Sequence, residues 1–206
     1  MTAVVPFAQV IDNFNRTNEN PLSFSGRWVG GEVSTFLQVT SNKATGTSTS
    51  QLSSRDWDET KFAADQECYI TVTTLPSTGA NYIRLYVRKS VHGSTYNGYM
   101  VQWSNDANGC RIFRSDAGTL TQIAQDTSAT YAANDVILLR AEGTTITVYK
   151  NGVSVLSVVD SNYNASGYVA LGCRDTTTRL EDYGAGELQD VATATVTMTP
   201  DRKSVV

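Results

Sequence analysis

The segment Ile146–Val158, ITVYKNGVSVLSV, limits the fold more than any other stretch of the chain. Apolar and polar residues alternate on both sides of Asn151-Gly152, the dipeptide that best supplies the positive φ angles of a two-residue hairpin turn. The same period of two recurs along most of the sequence. It predicts strands at Tyr69–Leu75, Tyr82–Lys89, Gly98–Ser104, Cys110–Ser115, Val136–Glu142, Thr145–Lys150, Val153–Val159 and Tyr168–Arg174. Further Asn-Gly pairs at Asn97 and Asn108, and the AEGTT segment after Arg140, supply turns between them. Short alternating strands with tight turns build packed antiparallel sheets, not a parallel α/β sheet. Two segments read less clearly. Ser34–Ser54 alternates weakly and is rich in hydroxyls, as an exposed-face strand or a mobile loop would be. Arg55–Glu67 is the one place where a short helix is plausible.

The chain has 206 residues, 17% of them charged, with only four prolines. That suits one large all-β domain and neither disorder nor a helical bundle. The net charge is −4 and the pI about 5.0, which argues against nucleic acid, whose phosphates call for clustered Lys and Arg. No stretch approaches the roughly 18 apolar residues of a membrane span. The N-terminal run lacks a basic segment and is broken by Pro6 and Gln9, so no secretory signal is expected, and synthesis in the cytosol or release as a mature fragment is. Cys68, Cys110 and Cys173 are odd in number, widely spaced and without a Cys-x-x-Cys pair, which predicts reduced core thiols. Glycines fall at hairpin turns, and no phosphate-cradling loop is present.

Four stretches together resemble the concanavalin A-like jelly-roll domains of the laminin-G-like kind. They are DNFNRTNENPLSFSGRWV from Asp12, YMVQWSNDANGCRIFRSDAGTLTQIAQ from Tyr99, DVILLRAEGTTITVYKNGVSVLSVVD from Asp135, and SGYVALGCRDTTTRLEDYGAGEL from Ser166. The resemblance covers Asp12–Leu188 and implies an all-β, two-sheet antiparallel sandwich over residues 1–188, with a closing strand that returns beside the first. Domains of this kind occur as carbohydrate-binding modules, as non-catalytic parts of glycan-active enzymes, and in phage tails and capsids. The expectation is therefore a non-catalytic glycan-binding or adhesion module, displayed on a virion as a capsid decoration or tail component. A polysaccharide hydrolase or lyase and a purely structural assembly protein are the alternatives.

In YIRLYVRK, Ile83, Leu85 and Val87 facing the core would leave Tyr82, Arg84, Tyr86 and Arg88 on the other face, with Gln102 and Arg111 extending the patch on the next two strands. In jelly rolls of this kind glycans bind across one sheet or at its edge loops, and Tyr with Arg suits stacking plus forked donation to hydroxyls or to the carboxylates of an acidic polysaccharide. Those residue types also suit any exposed strand. Glucanases of this fold use Glu-x-Asp-x-x-Glu, and no Glu-x-Asp occurs in this chain. The nearest carboxylate pair is Asp56 and Asp58 flanking Trp57, a pattern shared with solvated turns. His92 is the sole histidine, read as an exposed loop imidazole, so a histidine-rich metal site is out of reach. Jelly rolls often tie first and last strands with calcium. Asp12 and Asp182 are placed for that, or for salt bridges to Arg16 and Arg179. Beyond the domain, 189–206 forms an extension in which Val191–Thr199 alternates apolar and hydroxyl residues. It is expected to be a strand that borrows its partner from the N-terminus or from a neighbouring copy.

Overall fold

A computed structural model describes residues 6–188. Among them are fifteen strands and no helix, arranged as two antiparallel sheets. The strands are β1 (Gln9–Asp12), β2 (Trp28–Val29), β3 (Gln38–Thr40), β4 (Lys43–Thr45), β5 (Ser53–Trp57), β6 (Gln66–Thr74), β7 (Tyr82–Lys89) and β8 (Gly98–Ser104). They continue with β9 (Cys110–Asp116), β10 (Thr119–Asp126), β11 (Asp135–Glu142), β12 (Thr145–Lys150), β13 (Val153–Val159), β14 (Tyr168–Cys173) and β15 (Arg179–Glu187). One sheet runs β13-β12-β11-β6-β15-β4-β3, with β1 also paired to β15. The other runs β10-β9-β8-β7-β14-β5-β2. The closing strand β15 lies beside the first strand, with Gln9 opposite Ala185, as expected of a two-sheet jelly roll.

Alternation explains the core. Cys68, Ile70 and Val72 of β6 and Ile137, Leu139 and Ala141 of β11 meet Ile83, Leu85 and Val87 of β7 and Val101 and Trp103 of β8 between the sheets. All three cysteines are buried and unpaired, and burial pushes their thiols up to about 12. Asn151 and Gly152 both take positive φ in the β12–β13 turn. Asn97-Gly98 is different: the β7–β8 connection runs over Ser90–Asn97, and Gly98 already belongs to β8. The short helix expected over Arg55–Glu67 is absent. Its first residues form β5, every side chain of which is buried, and Phe62 bridges to Gly167. Pairing on both edges of β5 overrides local propensity there. Ser34–Ser54 contains β3, β4 and the start of β5. The extension 189–206, and with it the strand expected at Val191–Thr199, lies outside the described residues.

Candidate functional site

The outer face of the β7–β8–β9 sheet gathers most of the residues singled out from the sequence. Register places Ser54, Gly172, Arg84, Gln102, Arg111 and Gln125 opposite one another on β5, β14, β7, β8, β9 and β10, a polar row crossing the strands. The next row, Ala170, Tyr86, Met100 and Phe113, is apolar. It is not open. The Ser90–Asn97 loop folds back so that Tyr96 packs edge-on against Tyr86 at 5.9 Å, and a second small apolar cluster forms on this face. Tyr86, expected on an exposed stripe, is fully buried. Only its hydroxyl stays in polar company.

Arg88 leaves the stripe altogether. It adopts φ 54°, and pairing shifts between Tyr86 opposite Ala170 and Lys89 opposite Tyr168. One extra residue in a strand inverts the side-chain alternation beyond it. The Arg88 guanidinium donates to the carbonyls of Ala64 (2.6 Å), Gly143 (2.8 Å) and Tyr163 (3.0 Å), and Lys89 takes the position beside Tyr86 and Tyr96.

Arg84 is the hub of what remains. Its Nε and Nη2 donate to Gln102 Oε1 at 2.9 and 2.6 Å, and its Nη1 donates to Glu32 Oε2 at 2.8 Å. The Tyr86 hydroxyl donates to the same Glu32 oxygen at 2.5 Å. Burial works to lower the Arg84 pKa, but its surroundings, the Glu32 carboxylate among them, outweigh it and hold the guanidinium more firmly charged than usual. Burial first, then Glu32, pushes the Tyr86 phenol well above its ordinary value, so it stays a neutral donor. The guanidinium also lies 5.1 Å from the centroid of the Tyr82 ring, with Arg174 at 5.7 Å. Beside this group opens a cleft of 480 Å³ whose walls include Glu32, Ser34, Gln51, Tyr82 and Arg84. Its volume falls in the range of about 300–1,000 Å³ typical of small-molecule sites. Arg111 stands further along the row, 5.3 Å from the Phe113 ring, and its Nε has no partner among the described residues.

Glu32 reaches Arg84 from a strap between β2 and β3. Gly31, at φ 143°, lies so close to Ser54 that a Cβ would sit 2.4 Å from the Ser54 carbonyl oxygen. Glu32 N then donates to Ser54 Oγ at 2.8 Å, and the Thr35 hydroxyl bonds to Leu52 O. Sequence reasoning missed Glu32, although the Gly30-Gly31 pair ahead of an acid marks a close backbone approach.

The carboxylates considered for catalysis are arranged otherwise. Asp56 is buried, with both oxygens 2.7 Å from Lys89 Nζ and Oδ2 accepting from Gly93 N at 2.8 Å. Burial pulls the Lys89 pKa down despite Asp56, so the ammonium depends on this partner. Asp58 is exposed, and His92 Nε2 lies 2.7 Å from its Oδ1 without the alignment of a hydrogen bond. His92 is less free than a loop imidazole was expected to be: its ring packs at a tilt of 39° against Tyr168, at a centroid distance of 4.0 Å. A buried carboxylate locked to lysine and an exposed one beside histidine do not form an acid–nucleophile pair facing one opening.

Asp12 and Asp182 do not converge into a calcium cradle. Asp12 accepts from Arg16 Nη1 (2.7 Å), Arg16 Nη2 (3.1 Å), Trp28 Nε1 (2.7 Å) and Phe14 N (2.8 Å), which occupies both oxygens with donors. Asp182 is exposed. Arg179 bonds Thr45 and the carbonyls of Thr176 and Thr178 instead. No group of three or more His, Cys, Asp or Glu side chains suited to a metal forms among the described residues.

No protein-family model matches the chain, and no curated protein sequence does. Solved structures do match. The carbohydrate-binding module CBM66 from Bacillus subtilis superposes with a TM-score of 0.64 at 18% identity, covering 81% of this chain and 99% of that one. The exoplasmic/lumenal domain of VIP36, in its Ca2+- and mannose-bound form, gives 0.60 at 12% identity over 85% and 91%. A prokaryotic β-1,3-1,4-glucanase (lichenase) derived from a mouse hindgut metagenome gives 0.51 at 11% over 85% and 97%. At these identities the likeness is one of fold. The chain is an all-β sandwich of the galectin-like, concanavalin A-like jelly-roll kind.

Proposed function

We propose that the chain is a carbohydrate-binding module, and that it takes a saccharide into the cleft beside Glu32, Tyr82 and Arg84. The observation that carries this is the sharing of Arg84 between Gln102 and Glu32 at the mouth of that cleft. Of the five N–H donors of a guanidinium, three are taken, and Glu32 Oε1 accepts nothing among the described residues. Donors and a charged acceptor side by side match a vicinal diol, each hydroxyl of which both donates and accepts. Glu32 also neutralises Arg84. A neutral sugar therefore suits the cleft better than the acidic polysaccharide that unpaired arginines would favour. Arg111 and Gln125 extend the donor row for further sugar units. A carbohydrate-binding module and a mannose-bound domain among the fold neighbours support the same direction.

The test is retention on a panel of immobilised neutral and acidic polysaccharides, with released reducing ends scored in parallel. Retention on neutral members, lost in Tyr82→Ala and Glu32→Gln, is expected, with no reducing ends released. Preference for acidic members, or retention indifferent to both substitutions, refutes the site. Display on a phage particle, as a capsid decoration or tail component with a strand-exchanging extension at 189–206, rests on the sequence alone. Co-sedimentation of the chain with purified particles, abolished by deleting 191–206, tests it.

A further inference from the structure

The opposite sheet carries a second group built on the same plan. On its outer face, register sets Glu67, Arg140, Thr147 and Ser157 in one row across β6, β11, β12 and β13. Arg140 Nε and Nη2 both donate to Glu67 Oε2, at 2.9 and 2.7 Å, and Glu67 Oε1 accepts from Ala8 N at 2.8 Å. Glu67 is fully buried and Arg140 nearly so. The guanidinium lies over two rings, 5.1 Å from the centroid of Phe7 and 5.4 Å from that of Tyr149. Its Nη1 has no partner among the described residues, whereas the charge is already balanced by Glu67. A cleft of 410 Å³ opens beside it, and Glu142, Thr145, Thr147 and Tyr149 complete the walls.

Position on the strands explains why these groups meet. Arg140 and Glu142 are two residues apart on β11 and share a face, as Thr145, Thr147 and Tyr149 do on β12. Thr145 stands opposite Glu142 and Thr147 opposite Arg140. The cleft thus offers N–H donors from a neutralised guanidinium, a carboxylate acceptor in the exposed Glu142, two hydroxyl groups and an aromatic ring. An anion meets Glu142 and Glu67 here, and a bare cation meets Arg140. A ligand with neighbouring neutral hydroxyls matches every group. We propose that this cleft is a second saccharide subsite of neutral polyol class, which makes the domain bivalent, one sugar on each sheet. The proposal rests on the reading that the chain binds saccharides, and it adds the Arg140 cleft as an independent place of binding.

Amide chemical-shift mapping of the isotope-labelled chain with neutral gluco-, manno-, xylo- and fructo-oligosaccharides separates the two faces. At least one of these probes is expected to perturb two sets of residues, one around Tyr82–Arg84 and one around Arg140–Tyr149. Calorimetric stoichiometry is expected to fall from about two to about one in Glu142→Ala and in Tyr149→Ala, each leaving the Tyr82–Arg84 shifts in place. Neither substitution removes a hydrogen bond of the Glu67–Arg140 pair, and Glu142→Ala also keeps the Tyr149 ring beside Arg140, so that variant reads the subsite with the pair's packing intact. Shifts confined to the Tyr82–Arg84 face, or a stoichiometry unchanged in both variants, overturn the second subsite and leave the first standing. Shifts confined to the Arg140 face sustain the second and refute the first, and no shift with any probe refutes both.

Discussion

Asp56→Asn is the substitution that most sharply separates a structural from a catalytic carboxylate in this chain. Both Asp56 oxygens accept from Lys89 Nζ at 2.7 Å, and Oδ2 also accepts from Gly93 N. An amide at this place must turn its NH2 toward Lys89 in either orientation, so a donor–donor contact is unavoidable. The lysine is left as an ammonium with a side chain 0% exposed and no counter-charge, facing one amide oxygen, the Gly93 carbonyl and the rings of Tyr96 and Tyr86 at 4.6 and 5.9 Å. Removing one partner of a buried ion pair costs about 3–5 kcal/mol. For a chain of this size each kcal/mol lowers the melting temperature by about 2–4 °C, so a fall of about 6–20 °C is expected. In urea, with m of about 2 kcal/mol per M, the midpoint drops by about 1.5–2.5 M. Replacing both partners, as Asp56→Ala with Lys89→Met, removes the stranded charge and recovers part of the loss. The recovery is incomplete by about 1–3 kcal/mol, because Gly93 N and O lose their partners. Urea unfolding of the wild type, Asp56→Ala, Lys89→Met and the double variant closes the cycle, with Asp56→Asn measured beside it. An Asp56→Asn loss under about 1 kcal/mol, or a double variant no better than the worse single, shows that the pair does not hold the Ser90–Asn97 loop as described.

Four other outcomes follow from the same contacts. Gly31→Ala forces a Cβ against Ser54 O and displaces the strap, so saccharide affinity falls at least as far as in Glu32→Gln while the core stays folded; isothermal titration with far-UV circular dichroism checks both. Asp160 is partly buried, but Tyr99, Asn162 and Arg114 donate to it and hold its carboxyl at about 2, so its contribution is complete above about pH 4 and is lost as pH falls toward 2. Asp160→Asn should flatten the stability profile in that window, and an unchanged slope counts against the assignment. The three thiols, raised to about 12 by burial, should resist a disulfide reagent at pH 8 until denaturant is added, and rapid native labelling of any one contradicts the packing. Chelation with EDTA should leave the melting temperature unchanged, since Arg16, Trp28 and Phe14 already satisfy Asp12; a fall restored by calcium reverses that conclusion.

The strands were legible wherever one face is apolar and the other polar. β7, β8, β12 and β13 run as the alternation predicts, to the residue. β10 was not singled out as a strand, because an edge strand paired only to β9 carries too weak an apolar face to stand out. The stripe was legible as far as Val87 and failed at Arg88, where the bulge is set by pairing with β14, about eighty residues further along the chain. Tyr86 was placed on the right face, yet what that face does is decided by the Ser90–Asn97 loop that covers it.

Glu32 shows why this matters for function and not only for packing. Alternation on β7 identifies Arg84 as an outward-facing donor, and a free guanidinium implies an acidic ligand. The acceptor that reverses that implication arrives from a strap 52 residues earlier, positioned by the approach of Gly31 to Ser54. On the opposite sheet the balance has another origin: Glu67 and Arg140 face each other across β6 and β11, a pairing that follows from strand register. A donor's place is thus written in its own strand, whereas the charge a ligand meets there depends on which partner the topology brings to it. Glu32→Gln isolates that dependence, because it keeps the shape of the cleft and restores one unit of positive charge. A shift of preference from neutral toward acidic saccharides in that variant is the expected sign that the strap sets selectivity, and a loss of binding with preference unchanged assigns Glu32 to contact alone.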